Sequence, residues 1–300
     1  MSYTSHSNSL TSNLLNLVDS YLVESLSNVD CDDNVDTAVN YHLSSGGNKV
    51  RAKLTLEACH RLGIQENDAV IMAAAIECLH NASLLHDDLM DGDEYRRKKE
   101  AVWHKYNSHI AICAGDMLIA RSFGILSHLN CKLKIGECLH LLRMVTETTI
   151  TGQSADINSQ TWQNLTTAQY CNTVALKSVP LLQVCVAMPL CFADVEMDIK
   201  VLNNIFNPFA SAYQIIDDIE DWQQDDACGR CNYLSLLAKE CTNYLPSDLY
   251  CVAFQDAEKL IEISEKNESQ LPSELTGLIY PYIQKLKLKI QLLKDEHAYD

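Results

Sequence analysis

A D-D-x-x-D pattern of aspartates occurs twice in this chain, at residues 87–91 and 217–221. Residues four apart lie on the same face of a helix, so the first and last aspartate of each pattern are neighbours. Their like charges destabilise a helix unless solvent or a cation compensates them. Mg²⁺ binds one or two carboxylates and completes its coordination with water and phosphate oxygens. Two matching patterns, each preceded by an apolar run, therefore favour a Mg²⁺ site over two solvated helix ends.

Basic residues lie close to the first pattern in an otherwise acidic chain. Arg96 and Arg97, followed by two lysines, come directly after it, while Lys49 and Arg51 follow a Gly-Gly turn further upstream. A basic run is usually solvated surface. Beside a metal motif it is better interpreted as a diphosphate clamp, because a guanidinium donates two hydrogen bonds to phosphate oxygens. His80 lies near the same helix face as the first pattern, although a lone histidine would be a core residue by default.

Composition restricts the classes of partner. The net charge is -17, which disfavours nucleic-acid and anionic-membrane binding because both need basic surface. With 47% hydrophobic residues, the chain can bury a sizeable core. It has only ten Gly and six Pro, fewer than the frequent turns of an all-β protein would need. The first eleven residues are polar and show no secretory signal, so we expect a cytoplasmic location.

Cysteines are numerous, and most stand alone in apolar segments. We expect such residues to be small buried hydrophobes rather than disulfide partners. They include Cys59, Cys78, Cys113, Cys138 and Cys185. Cys228 and Cys231 form a C-x-x-C pair, but no further zinc ligands stand nearby at fitting spacing.

Helical periodicity dominates the chain, and no stretch alternates well enough to predict a strand. The periodicity predicts helices at Leu10–Leu26, Val50–Leu62, Asn67–Met90, Ser108–Leu129, Leu133–Thr149, Thr166–Met188, Val195–Trp222, Leu249–Ser264 and Glu274–Leu293. Asn67 or Asp68 and Thr166 are candidate N-caps. We expect one helical domain over residues 1–300, of which the polar first eight or so could be disordered. The most apolar stretch, Val179–Ala193, is shorter than the ~20 residues of a membrane span, so none is predicted.

At these motifs the chain resembles the trans-isoprenyl diphosphate synthases, or polyprenyl synthetases. The similarity extends from about residue 40 to 240 in the family's order of motifs, and the two aspartate patterns also have the family's separation. The matching segments are residues 46–51, 77–88, 91–97, Gly115-Asp116, Gly152-Gln153 with Asp156, and Tyr213-Gln214-Ile215-Ile216-Asp217-Asp218.

The resemblance implies an all-α, isoprenoid-synthase-type helical bundle around a central cavity, usually in a homodimer. It implies the joining of an allylic diphosphate to isopentenyl diphosphate with loss of pyrophosphate, assisted by Mg²⁺, for which we expect three ions. The implied metal ligands are Asp87, Asp91, Asp217 and, in support, Asp221. Other residues implied in catalysis are Asp88, Arg96 and Gln214, with Asp218 in support. The substrate-binding residues are expected to be Lys49, Arg51, His80, Arg96, Arg97, Thr173, Gln214, Ala82 and Ser83.

Three departures from the family pattern keep alternatives open. Asn48 stands in place of a lysine after Gly-Gly, Asn172 replaces the lysine of a Lys-Thr pair, and no lysine follows the second aspartate pattern before Arg230. Each missing cation removes a charge-assisted hydrogen bond of about 1.5–3 kcal/mol. A class I terpene cyclase or irregular coupling enzyme on the same scaffold is therefore the second hypothesis. A non-catalytic subunit of a heteromeric synthase is the third. Retained Arg51, His80 and Arg97 favour chain elongation.

The resemblance implies that the product chain grows beneath the first aspartate pattern, and that the residues about one helical turn before it set the product length. Ala82 and Ser83 lie five and four residues upstream of Asp87 and are small, so they would let the growing chain pass. This predicts a product longer than farnesyl diphosphate, such as geranylgeranyl diphosphate. Alternatively, Ile112 or Phe123 on the next helix forms the floor.

Overall fold

Helices make up nearly all of the regular structure in the part of the chain that the structure describes, which confirms the all-α class. The structure is a computed structural model that describes residues 3–23, 34–158 and 165–297, with side chains at 13–23, 34–156 and 165–297. In chain order the helices are α1 (Tyr3–Val23), α2 (Asn34–Leu43), α3 (Val50–Arg61), α4 (Glu66–Asp91), α5 (Val102–Lys105), α6 (Ser108–Ile125), α7 (Ile135–Asn158), α8 (Thr167–Phe192), α9 (Ile199–Cys228), α10 (Tyr233–Glu240), α11 (Pro246–Glu268) and α12 (Tyr280–His297).

Each of the nine predicted helices corresponds to an observed one, but three short helices and a hairpin were missed. α2, α5 and α10 contain ten, four and eight residues, too few for a clear periodic pattern. The prediction of no strand was also wrong, because β1 (Tyr95–Arg96) pairs antiparallel with β2 (Lys99–Glu100). The predicted end of the first helix, residues 24–26, lies outside the described residues.

The sequence predicted the N-cap of one helix correctly and that of another wrongly. Thr166 does cap α8, since its hydroxyl accepts a hydrogen bond from the Gln169 amide and the Gln169 side chain accepts one from the Thr166 amide. Asp68 does not cap α4. It lies inside the helix, and its carboxylate accepts a hydrogen bond from the Asn130 amide. α4 ends at Gly92, whose φ of 70° turns the chain away directly after the first aspartate pattern.

Two compact units form within the described chain. Unit 1 contains residues 1–144 and 184–196, and unit 2 contains residues 145–183 and 197–300, so the three boundaries fall inside α7, inside α8 and between α8 and α9. The prediction of a single domain over 1–300 stays a prediction, as does the expected disorder of the first residues. α1 begins at Tyr3.

α4 is the central helix of unit 1. It packs against α1, α3 and α6, and every residue from Ile71 to Ile76 is fully buried. A helix that is apolar all round must be surrounded by other elements, and α4 meets this condition until its last two turns. The aspartates of residues 87–91 therefore project from the end of a rigid core helix.

α9 has the same role in unit 2. It packs against α10, α11 and α12, and its inner face contributes buried Ile205, Phe206, Ile215 and Ile219. Pro208 lies inside this thirty-residue helix, nine residues before the second aspartate pattern. Both aspartate patterns thus belong to the principal helix of their own unit.

Two expectations from the sequence need correction, one on buried cysteines and one on the length of apolar helices. Cys59, Cys78, Cys138 and Cys185 are buried as expected, but Cys113 of α6 is exposed; the cysteines of the described residues are free thiols. Three described helices, α4, α6 followed by its 3₁₀ turn, and α8, are long and apolar enough to cross a membrane by length and composition. The apolar stretch predicted from the sequence, Val179–Ala193, covers only part of α8, which extends over 26 residues. The most apolar windows of the three helices are 78%, 44% and 61% buried.

Candidate active site

The first aspartate pattern occupies the last turn of α4, where the helix dipole is negative and favours a cation. Asp87 is half-buried and Asp91 is exposed. Asp88 differs from both, because its side chain is 1% exposed and accepts a hydrogen bond from Arg96 Nε. Burial raises the pKa of Asp88 to about 6, although Arg96 acts in the opposite direction. The outer two aspartates therefore stay accessible to a metal ion, while the middle one anchors the following strand.

A tight hairpin presents the arginine pair. Arg97 and Lys98 form its two-residue turn, with φ values of 51° and 65°. Consecutive positive φ angles define a type I′ turn, which normally selects Asn or Gly because other side chains are strained there. The Arg97 guanidinium lies against Gly47, where an added Cβ would come within 2.5 Å of Nη1. Gly47 also has a φ of 148°, which other residues rarely adopt, and this explains one glycine of the Gly-Gly turn.

Arg51 and His80 lie beside this hairpin and complete a group of cationic and donor residues in unit 1. Arg51 Nη1 donates to His80 Nε2 at 3.2 Å. Burial, then the positive charges of Arg51, Arg97 and Arg96, lowers the pKa of His80 well below 6.5, so the ring is neutral. Since Nε2 accepts, the proton is on Nδ1, and this buried atom has no hydrogen-bond partner among the described residues.

A buried carboxylate lies close to this group. Glu77 is 5% exposed, and its carboxylate accepts a hydrogen bond from the Ala52 amide at 3.3 Å. Burial raises the pKa of Glu77, whereas Arg51, Lys49 and Arg97 act against that shift. Glu77 was not predicted as a site residue, although it lies within the quoted motif 77–88. Its contact with Ala52 joins α4 to α3 beside this group.

Several predicted binding residues already have partners inside the chain. Lys49 forms an ion pair with Asp19 of α1. Thr173 donates to the Gln169 carbonyl of its own helix at 3.2 Å. Ser83 donates to the His80 carbonyl at 2.8 Å, and Ala82 is 1% exposed within the packing of α4.

His86 is a residue that sequence reasoning left without a role. Its ring occupies the space over Gly115, where an added Cβ would lie 2.1 Å from Nε2. The same nitrogen is 3.4 Å from the Ile112 carbonyl and 3.7 Å from Asp116. The Gly115-Asp116 pair of the family motif therefore accommodates the histidine that precedes Asp87. This role could have been suspected from the pairing of the two motifs.

The second aspartate pattern lies in the middle of α9 and repeats the division of roles. Asp217 is half-buried and Asp221 is exposed, but Asp218 is 3% exposed. Its carboxylate accepts hydrogen bonds from Tyr170 Oη at 2.7 Å, Gln214 Nε2 at 2.7 Å and the Tyr233 amide at 2.8 Å. Burial raises the pKa of Asp218 to about 6 despite these donors. Gln214 thus orients Asp218, which the sequence did not indicate.

Lys289 of α12 is the cation that the sequence did not associate with this pattern. Its ammonium donates to Asp217 Oδ1 and lies near Glu220 Oε2, each at 2.8 Å. Burial raises the pKa of Asp217, with Lys289 opposing the shift. Lys177, five residues after Asn172 on α8, pairs with Asp156 at 3.1 Å.

The donors supply part of a magnesium coordination shell, which water and phosphate oxygens would complete. Among the described residues, no group of three or more His, Cys, Asp or Glu side chains could hold a metal ion unaided. The outer aspartates instead offer pairs of accessible carboxylates, which is the partial ligand set that Mg²⁺ takes when substrate oxygens and water complete it. Asp87, Asp91, Asp217 and Asp221 are thus suitable ligands.

Comparison with known proteins decides the family. The sequence profile described as polyprenyl synthetase matches residues 32–269. The chain belongs to the polyprenyl synthetase family. This confirms the resemblance drawn from the motifs, and the family's named members are isoprenyl, farnesyl and geranylgeranyl diphosphate synthases, which are trans-prenyltransferases.

Individual relatives agree with this assignment. The short chain isoprenyl diphosphate synthase of Methanocaldococcus jannaschii is 31% identical over 194 residues, 64% of this chain and 59% of the relative, so the match spans less than two thirds of that protein. The geranylgeranyl diphosphate synthase of Methanosarcina mazei is 25% identical over 86% of this chain and 83% of its own length. Among solved structures, a geranylgeranyl pyrophosphate synthetase from Geoglobus acetivorans has a TM-score of 0.79 at 23% identity, covering 93% of this chain and 97% of that one.

Proposed function

We propose that this protein is a Mg²⁺-dependent prenyltransferase that condenses an allylic diphosphate with isopentenyl diphosphate. The observation that carries the proposal is the group of Arg51, His80 and Arg97 in unit 1. A reaction between two diphosphates needs two diphosphate sites, whereas a cyclase needs one. The Nδ1–H of His80, buried without a partner among the described residues, is the kind of donor that a phosphate oxygen satisfies.

The proposed chemistry assigns separate tasks to the two groups of residues. Mg²⁺ held by the outer aspartates would stabilise the charge on pyrophosphate as it leaves the allylic substrate. Arg96, fixed by Asp88, is proposed to bind that diphosphate with little reorganisation. Arg51, His80 and Arg97 would hold isopentenyl diphosphate so that its double bond is close to the allylic carbon. Apolar helix surfaces would exclude water from the carbocation.

Three finer statements belong to the same proposal. We expect three Mg²⁺ ions, a homodimer and a cytoplasmic location, and light scattering of the purified protein would test the dimer. Geranylgeranyl diphosphate is the proposed product, because Ala82 and Ser83 are small and several similar proteins carry that name.

Incubation with Mg²⁺ and dimethylallyl, geranyl or farnesyl diphosphate, each with and without isopentenyl diphosphate, tests the reaction class. Elongation gives longer prenyl diphosphates only when isopentenyl diphosphate is present. Arg51→Ala should raise the KM for isopentenyl diphosphate more than that for the allylic substrate, by roughly tenfold or more for a lost charge-assisted hydrogen bond. Lys53→Ala is a matched control, because Lys53 is exposed on the same helix.

A terpene cyclase is the second candidate, and one observation favours it. Lys49, the nearest replacement for the lysine absent at position 48, is paired with Asp19. Release of a hydrocarbon at the same rate without isopentenyl diphosphate would establish this candidate. If the chain is inactive alone but raises the activity of another synthase when mixed with it, the non-catalytic subunit is the correct interpretation.

A further inference from the structure

Lys289 reaches the second aspartate pattern from a distant part of the sequence. Its side chain is 31% exposed and bridges Asp217 and Glu220, which lie three residues apart on α9. Both contacts are 2.8 Å, the usual length of a charge-assisted hydrogen bond. The ammonium thus occupies the carboxylate that the proposed function assigns to a metal ion.

Two other lysines of α12 show that this pairing is distinctive. Lys287 pairs with Glu265 and Lys294 with Glu258, each at 2.6 Å and each with one carboxylate of α11. Those two pairs join neighbouring helices of unit 2, as surface ion pairs commonly do. Lys289 alone among the three binds a residue of a D-D-x-x-D pattern.

We infer that Lys289 is an internal counter-ion of the second aspartate pattern, and that a divalent cation competes with it for Asp217. The inference rests on the proposed function, because it takes Asp217 as a metal ligand. Mg²⁺ bound to Asp217 would lie within a few ångströms of the Lys289 ammonium, and two cations at that distance repel each other. Lys289 therefore lowers the affinity of the pattern for a metal ion in the absence of substrate.

A structural role follows for the apo protein. Asp217 and Glu220 are like charges three residues apart, next to Asp221, and their repulsion destabilises this turn of α9. Lys289 compensates part of that repulsion until a metal ion does so. Metal binding consequently releases the Lys289 ammonium, so the surroundings of α12 change when a metal ion occupies the site.

Titration with Mn²⁺ followed by electron paramagnetic resonance tests this without any prenyl substrate. An Asp87→Asn/Asp91→Asn background removes the first pattern, so that the second is measured alone. In that background Lys289→Gln should bind Mn²⁺ about five- to tenfold more tightly, the effect of losing one partly buried ion pair. Lys289→Arg should stay near the unsubstituted affinity, and Lys287→Gln, on the same helix, serves as the matched control.

The possible outcomes separate the inference from the proposed function. If Asp217→Asn removes Mn²⁺ binding but Lys289→Gln leaves it unchanged or weaker, Lys289 is not a competing counter-ion, and the inference alone is overturned. If Asp217→Asn has no effect on Mn²⁺ binding, the metal role of the second pattern fails, and the inference fails with it. Thermal unfolding without metal gives a second readout, because Lys289→Gln should lower the midpoint more than Lys287→Gln does.

Discussion

At the scale of single residues, the three aspartates of each pattern do different work. Asp88 and Asp218 are almost completely buried and bind protein donors, whereas the outer aspartates are half-buried or exposed. The donors are a hairpin arginine for Asp88 and two side chains with one amide for Asp218. Substitutions at the outer and middle positions should therefore fail for different reasons.

Replacing an outer aspartate should remove turnover and keep the fold. Asp87→Ala loses a proposed metal ligand and relieves repulsion with Asp91, so the free energy of unfolding should stay the same or rise slightly. Product formation should fall by about a hundredfold or more, on the order expected when charge stabilisation of the leaving group is lost. Circular dichroism with a turnover assay checks both effects. An Asp87→Ala protein with full activity would contradict the metal assignment.

Replacing a middle aspartate should change the pH dependence of stability. The pKa of Asp218 is about 6 in the folded protein and ordinary in the unfolded one, so the folded state binds the proton more tightly. The contribution of this group to stability therefore falls as pH rises from about 4 to about 6, and then levels off. The loss amounts to about 3 kcal/mol at most.

Asp218→Asn lacks this titration, and the comparison with the wild type isolates it. Between pH 5 and pH 7 the wild type should lose stability relative to the variant, as measured by denaturant unfolding. Above about pH 7 the difference between the two proteins should be constant. A difference that does not change from pH 5 to pH 7 would show that Asp218 has an ordinary pKa when folded.

Sequence reasoning located the aspartates but not the side chains that hold them. The D-D-x-x-D spacing places its outer aspartates on one helix face, so the pattern could be recognised from the sequence alone. Lys289 is 72 residues from Asp217, and Tyr170 is 48 residues from Asp218, so these contacts depend on helix packing that local patterns do not encode. Lys49 was expected to bind phosphate, and the ion pair with Asp19 likewise depends on how α1 packs.

At the scale of elements, long helices were predictable and short ones were not. α4 and α9 were found because their apolar positions repeat over many turns. The β1–β2 hairpin was missed because its turn contains Arg97 and Lys98 in place of Asn or Gly. Residues kept in a strained conformation tend to cluster at functional sites, and Arg97 belongs to the proposed diphosphate site.

Lys98 offers a test of the strain in this turn. It is exposed at φ 65°, so Lys98→Gly should leave stability unchanged or raise it slightly, because relief of strain offsets the greater chain entropy of Gly. Lys98→Val should lower stability by about 1 kcal/mol or more, since a β-branched residue is disfavoured at positive φ. Thermal unfolding of the two variants measures the difference. Equal midpoints would indicate that the turn relaxes at little cost.

Product length can be tested on α4 by introducing aromatic rings. Ser83→Phe, alone and with Ala82→Phe, should shorten the main product by one five-carbon unit if this helix forms the floor. Ser83 is partly exposed, whereas Ala82 is buried, so the single variant at Ser83 is the one expected to keep the fold. Ile112→Phe on α6 tests the alternative floor. Chromatography of the products distinguishes the two helices, and an unchanged distribution in the Ser83 variants contradicts the assignment to α4.

At the scale of the whole molecule, the acidic surface should make stability depend on salt. Forty acidic and 23 basic residues give the net charge of -17, and self-repulsion of such a charge destabilises the compact state. Raising NaCl from about 20 mM to about 200 mM should therefore raise the unfolding midpoint by a few degrees. KCl at the same ionic strength is the control for ion-specific effects. A midpoint that falls would show that attractive ion pairs dominate.

Unit 1 is completed late during synthesis of the chain. α4 ends at residue 91, but unit 1 also contains residues 184–196, so 105 further residues must be translated before the unit is complete. At ribosomal rates of about 5–20 residues per second, this takes roughly 5–20 s. During that time α4, whose most apolar window is 78% buried in the finished fold, lacks residues 184–196 of its unit. A chaperone that binds nascent apolar segments would therefore find α4 a favourable target, and its absence should reduce the yield of folded protein more than the rate at which the purified chain refolds.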